Sequence, residues 1–191
     1  MIEIEQINKS IKLGIIDLHE FNTIHGLVSK REIEKKALIY LLKALNINSD
    51  ELVYNENNKP FLISGKPFLS ITHSFQYLAV VVNSEMLTGI DMELKRPKII
   101  NVQSKFCNAN EVQFAGNEID RLTCLWCAKE TVYKIYGHKG VNFKDHIKVK
   151  PFHTADTVIY ASLWVANAWK TFKLALKSKQ DYYLTYLIDE V

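Results

Sequence analysis

Apolar residues recur along this chain with two different periods, and the changes of period mark out its elements. Residues 1 to 28 alternate loosely through Ile2, Ile4, Ile7, Ile11, Leu13 and Ile15, which predicts one or two strands, then a short helix over Leu18 to His25. Ser29 stands three residues before Glu32, the form of a capping box. The helix it opens runs to about Leu45, burying Ile33, Ala37, Leu41, Ala44 and Leu45. It stops at the polar cluster Asn46 to Asp50. Asn55 to Gly65 reads as a polar turn region, and Phe68 to Thr72 as a strand leading into His73 and Ser74. Tyr77 to Val82 and Leu87 to Glu93 read as two strands joined through Asn83 to Met86, a predicted hairpin. Leu94-Lys95-Arg96-Pro97 breaks the strand and is the natural linker between two lobes. Ile99 to Phe106 reads as a short helix, and Asn108 with Glu111 as a second capping box. The longest helical period covers Asp120 to Tyr136 and ends at Gly137. Strand period then returns over His146 to Lys150, Val158 to Val165, Thr171 to Leu176 and Tyr182 to Ile188.

Charged residues break this pattern at two places. In Gly89-Ile90-Asp91-Met92-Glu93 the two carboxylates lie on one face of a strand and the two apolar side chains on the other. Like charges side by side are costly unless a cation or a cluster of donors lies between them. On the long helix, at about 100° per residue, Leu122, Leu125, Trp126, Val132, Tyr133 and Tyr136 form an apolar stripe. Lys129 falls in its middle, and Glu130 and Lys134 lie one turn apart on its edge. A lysine centred on an apolar face needs an anionic partner or belongs to a site. Two strand carboxylates facing a helix with Lys, Glu and Lys suit a metal ion on a phosphorylated ligand. The basic start of the earlier helix, Lys30, Arg31, Lys35 and Lys36, reads on its own as a solvated face.

Composition narrows the classes. At 191 residues, 48% hydrophobic and 24% charged, the chain suits a soluble globular protein of one domain or two small lobes. A net charge of +3 is too small to argue for nucleic acid, yet suits an anionic ligand or an acidic partner. No apolar run approaches the ~18 residues of a membrane span. Met1 to Glu5 has neither the basic start nor the apolar core of a signal peptide. Three cysteines fit a reduced, cytoplasmic compartment. Cys124 and Cys127 form a C-x-x-C, but inside the long helix and without a second pair, so core cysteines are the simpler reading than zinc or redox chemistry.

Taken together, Ile71-Thr72-His73-Ser74, Gly89-Ile90-Asp91-Met92-Glu93 and Trp126-Cys127-Ala128-Lys129-Glu130 resemble the 4'-phosphopantetheinyl transferases of the surfactin-synthetase type. Lys59-Pro60 and the segment from Phe106 to Glu111 match in the same order. The motif-bearing region spans residues 58 to 140, with a weaker match over the basic helix near Arg31. The chain departs from the family at Asn58, where a glycine is usual, and at Cys107, where a second phenylalanine is usual. The resemblance implies an α+β fold of two similar lobes related by pseudo-two-fold symmetry, residues 1–94 and 95–191, with the active site at their interface. It implies Mg²⁺-dependent transfer of the phosphopantetheine arm of coenzyme A to a serine of an apo carrier protein, by a monomer. By the same resemblance Asp91, Glu93 and Glu130 hold the metal, while Arg31, Lys36, Lys59, Thr72, His73 and Lys134 bind coenzyme A. Glu130, or a metal-bound water beside it, takes the serine proton, with Lys129 as a second candidate. Lys134 acts on the phosphates, and Glu111 lies at the edge of the active site. Two other classes share these features: a Mg²⁺-dependent nucleotide or pyrophosphate hydrolase, and a non-catalytic module that binds coenzyme A or a carrier protein.

Overall fold

The alternation at the start of the chain forms two antiparallel strands, β1 (Ile2–Gln6) and β2 (Ile11–Asp17), in the computed structural model of the protein, which describes residues 2–191. Asp17 ends β2 and caps the next helix, α1 (Leu18–His25), its carboxylate accepting from the backbone of His19 and Glu20. Helix α2 (Lys30–Ala44) opens on the Ser29–Glu32 capping box and buries Ala37, Leu41 and Leu42. Ala44, expected in the core, is exposed, and Leu42 fills the position instead. The short strands β3 (Leu52–Tyr54) and β4 (Pro60–Leu62) pair with each other. Strands β5 (Phe68–Ser74) and β6 (Tyr77–Asn83) complete a sheet of order β1-β2-β6-β5. Its core joins Ile16 and Phe21 to Leu41, Leu69, Leu78 and Val80.

The hairpin expected between β6 and the next strand does not form. Strand β6 is paired on both edges, with β2 and with β5, so no edge remains for a further partner. Asn83 instead turns the chain away, its Oδ1 accepting from the backbone of Glu85 and Met86. The following strand, β7 (Ile90–Leu94), pairs with the last strand of the chain. The chain accordingly divides into two units, 1–88 and 89–191. The acidic strand lies in the second unit.

After β7 come α3 (Lys98–Val102), a 3-10 turn over Gln103–Lys105, α4 (Ala109–Ala115) and α5 (Ile119–Tyr136). The single helix expected over Ile99 to Phe106 is thus two short pieces. Strands β8 (Ile147–Val149), β9 (Val158–Val165), β10 (Ala168–Ser178) and β11 (Tyr182–Glu190) form with β7 an antiparallel sheet of order β7-β11-β10-β9-β8. Trp164 and Trp169 face each other across the β9–β10 ladder, with ring centroids 5.4 Å apart.

Helix α5 is the axis of this unit. It buries Leu122, Cys124, Leu125, Cys127, Ala128, Thr131, Val132 and Ile135, while Trp126, Tyr133 and Tyr136 of the expected stripe are only half-buried. Its contact with β7 and β11 is close because the residues there are small. A Cβ on Gly89 would overlap the Thr131 carbonyl oxygen and come within 2.7 Å of Ile135 Cγ1. A seam of buried hydrogen bonds fixes the register. The Cys127 thiol donates to the carbonyl of Asp91 (3.1 Å), and Thr185 Oγ1 donates to the carbonyl of Cys127 (3.1 Å). Replacing Gly89 by alanine must push helix and strand apart, and should cost about 1–3 kcal/mol of stability in urea denaturation. A change near zero would contradict the backbone approach.

Candidate functional site

The alternation of β7 points Ile90 and Met92 into the core and brings Asp91 and Glu93 to residues of α5. Lys134 Nζ donates to Asp91 Oδ1 at 2.7 Å, with Asp91 buried and Lys134 half-buried. The Trp126 indole N–H donates to Glu93 Oε1 at 2.9 Å. Glu130 lies one turn before Lys134 and feels the charges of Asp91, Lys134 and Glu93. Four of the residues singled out from the sequence, Asp91, Glu93, Glu130 and Lys134, therefore form one cluster. Burial, and then the charge of Asp91, push Glu93 up to about 7. The same two causes, in the same order, push Glu130 up to about 7. Such carboxyl groups exchange protons near neutrality, which suits a general base.

Lys129 and Glu111 are placed elsewhere, as a buried pair. The Lys129 ammonium is fully buried and donates to Glu111 Oε2 (2.7 Å) and to the carbonyls of Phe106 (2.7 Å), Phe143 (2.8 Å) and Ile147 (2.7 Å). Glu111 completes its capping box with Asn108 and accepts from the backbone N–H of Val149 at 3.0 Å. Strand β8 is the sheet edge, so the ion pair engages a carbonyl and an N–H there, as a further strand would. Burial draws the Lys129 pKa down and Glu111 pulls it back up. Its three protons are shared among four oxygen acceptors, all within the buried site. Glu111 likewise faces Lys129 and not the acidic cluster. A groove of about 680 Å³ beside it, lined by Asn110, Phe114, Lys148, Lys150 and Trp169, contains none of the three acidic-cluster carboxylates.

The first unit carries the remaining candidates. His73 at the end of β5 is exposed, and its Nδ1 lies 3.9 Å from Glu34 Oε1 on α2. Glu34 in turn stands 3.6 Å from Lys30, so the strand end and the basic start of the helix are neighbours. Arg31 is exposed, Lys36 is half-buried and Thr72 is buried. Lys30 also lines a cavity of about 370 Å³ with His19, Asn22, Phe75 and Gln76. Lys59 sits between β3 and β4, half-buried, with its pKa lowered by burial. Asn58 before it takes φ 59°, the left-handed conformation that glycine adopts most readily and asparagine tolerates.

The sequence pattern missed the role of Trp126, which it counted as part of the apolar stripe. A half-buried indole usually donates its N–H, and Glu93 is the acceptor here. Cys124 and Cys127 are buried thiols whose pKa values burial raises, in keeping with core packing.

The raised carboxyl groups give stability a pH dependence of definite sign. In the unfolded chain Glu93 and Glu130 ionise near 4.5, and in the folded protein near 7. Between those values the folded state binds more protons, so stability must fall as pH rises through the window and level off above it. The urea midpoint of the metal-free protein should drop between pH 5 and 8 in chelator. The drop should shrink in the Glu93→Gln, Glu130→Gln double variant. Equal slopes in the two proteins would contradict the coupling.

No curated protein shows a significant match to the chain. The family model described as the 4'-phosphopantetheinyl transferase superfamily matches residues 88–187. That stretch is more than half of the chain and contains Asp91, Glu93, Glu130 and Lys134 together with α5 and the sheet beneath it. The chain belongs to the 4'-phosphopantetheinyl transferase superfamily.

Proposed function

We propose that this protein is a transferase of the surfactin-synthetase type, which moves the 4'-phosphopantetheine arm of coenzyme A onto a serine of an apo carrier protein. The observation that carries the reading is the cluster of Asp91, Glu93, Glu130 and Lys134, which lies within the residues matched to the superfamily. In this reaction the serine Oγ attacks the β-phosphorus of coenzyme A. The bond to the bridging oxygen breaks, and 3',5'-ADP leaves. The chemistry needs neutralised phosphate charge, a proton acceptor and alignment of two substrates.

Magnesium fits the donor set in chemistry: Asp91, Glu93 and Glu130 are hard oxygen donors whose mutual repulsion a divalent cation would relieve. Among the described residues no three acidic, histidine or cysteine side chains stand in ready ligand geometry, and Lys134 holds Asp91 Oδ1. Asp91 and Glu130 would therefore have to turn toward an ion beside Glu93. When bound, the ion would neutralise the pyrophosphate. Glu130, one turn before Lys134 on α5 and beside the other two carboxylates, is the group assigned to take the serine proton. Lys134, half-exposed and already against an anion, turns from Asp91 to a phosphate oxygen. In the first unit, Arg31 and Lys36 offer cations to the 3'-phosphate, while Lys59, Thr72 and His73 bind the rest of the nucleotide. The proximity of His73 to the start of α2 supports grouping them. The two-lobe arrangement of this type is supported by each unit pairing an antiparallel sheet with helices.

The test is the intact mass of an apo carrier protein incubated with this protein, Mg²⁺ and coenzyme A. A gain of one phosphopantetheine on the carrier is expected with the wild type, and at least a hundredfold less with Asp91→Ala. With dephospho-coenzyme A as donor, kcat/KM should fall. Loss of coenzyme A without carrier modification would instead indicate a hydrolase, and binding alone a non-catalytic module.

A further inference from the structure

Trp126 stands between the two clusters that α5 organises. Its N–H donates to Glu93 Oε1 at 2.9 Å. Its ring packs against two others, Phe106 at 5.1 Å and Phe143 at 5.4 Å, the latter stacked at 25°. The backbone carbonyls of those two phenylalanines are ones that the Lys129 ammonium grips, at 2.7 and 2.8 Å. Lys129 follows Trp126 by three residues, so both side chains leave the same side of the helix. The buried lysine holds the two segments that supply the flanking rings, and the rings in turn fix the plane of the indole. A glutamate has three rotatable bonds, and a donor locked in one plane removes most of that freedom.

We propose that Trp126 is a positioning residue: its indole N–H pins Glu93 Oε1 so that Oε2 is the oxygen offered to a divalent cation. The inference rests on the reading of Asp91, Glu93 and Glu130 as a cation site. Donors that orient a ligating carboxylate are commonly worth 10–100-fold in metal affinity. Phenylalanine at position 126 keeps the ring stack and removes the donor.

Mn²⁺ binding to the full-length protein, followed by the electron-spin resonance of free Mn²⁺, separates the possibilities. The Trp126→Phe variant is expected to bind about tenfold more weakly than wild type. If the donor acts through Glu93, adding Trp126→Phe to Glu93→Gln should weaken binding no further. Equal affinity of wild type and Trp126→Phe would overturn the proposal while leaving the cation site standing. No Mn²⁺ binding by wild type would overturn both. A second measurement leaves Trp126 itself in place. The chain has three tryptophans, and Trp164→Phe with Trp169→Phe leaves Trp126 as the sole indole. Its fluorescence should shift on saturation with Mg²⁺, and an unchanged spectrum would also overturn the proposal.

Discussion

Helix α5 lies so close to the strand before it that the backbone of Gly89 meets the backbone of Thr131 with no room for a Cβ. The rest of the second unit follows from that approach. Glycine, cysteine and threonine at the contact let the helix settle onto β7 and β11, and buried hydroxyl and thiol hydrogen bonds hold it in one register. In that register Lys134 reaches Asp91 and Trp126 reaches Glu93. A shift of a fraction of an ångström would loosen both contacts, because charge-assisted hydrogen bonds depend steeply on distance.

The same helix places two lysines in opposite circumstances. Lys129 is wholly enclosed, and a buried ammonium is tolerable only with an anion and several dipoles around it. Glu111 and three carbonyls meet that requirement and close the edge of β8 at the same time. Lys134 is partly exposed and has one carboxylate partner, Asp91. Burial thus separates a fully enclosed cation from one that solvent still reaches, although both are lysines on one helix five positions apart.

Much of this was legible in the sequence. The capping boxes at Ser29 and Asn108 are local, so they survive into the structure unchanged. The spacing of Asp91 and Glu93 needed only the two-residue period of a strand to put them on one face. What was not legible depends on partners distant in sequence. The strand after β6 looked like half of a hairpin, because nothing local shows that β2 and β5 already occupy both edges of β6. The amphipathic pattern identifies Lys129 as a lysine that needs a partner or belongs to a site, without identifying Glu111 as that partner. Trp126 looked merely apolar because its acceptor lies on another element.

The contrast between the two lysines is the central claim, and replacing each by methionine tests it most directly, since methionine keeps the apolar stem and deletes the charge. Urea denaturation and carrier modification should be measured on both variants. Lys129→Met should lose about 3–5 kcal/mol of stability, because it strands the Glu111 carboxylate and three carbonyls. Lys134→Met should lose less stability than Lys129→Met, because Lys134 is partly exposed and has a single partner, yet it should lose transfer. A Lys129→Met protein as stable as wild type, or a Lys134→Met protein with full transfer activity, would contradict this division of roles.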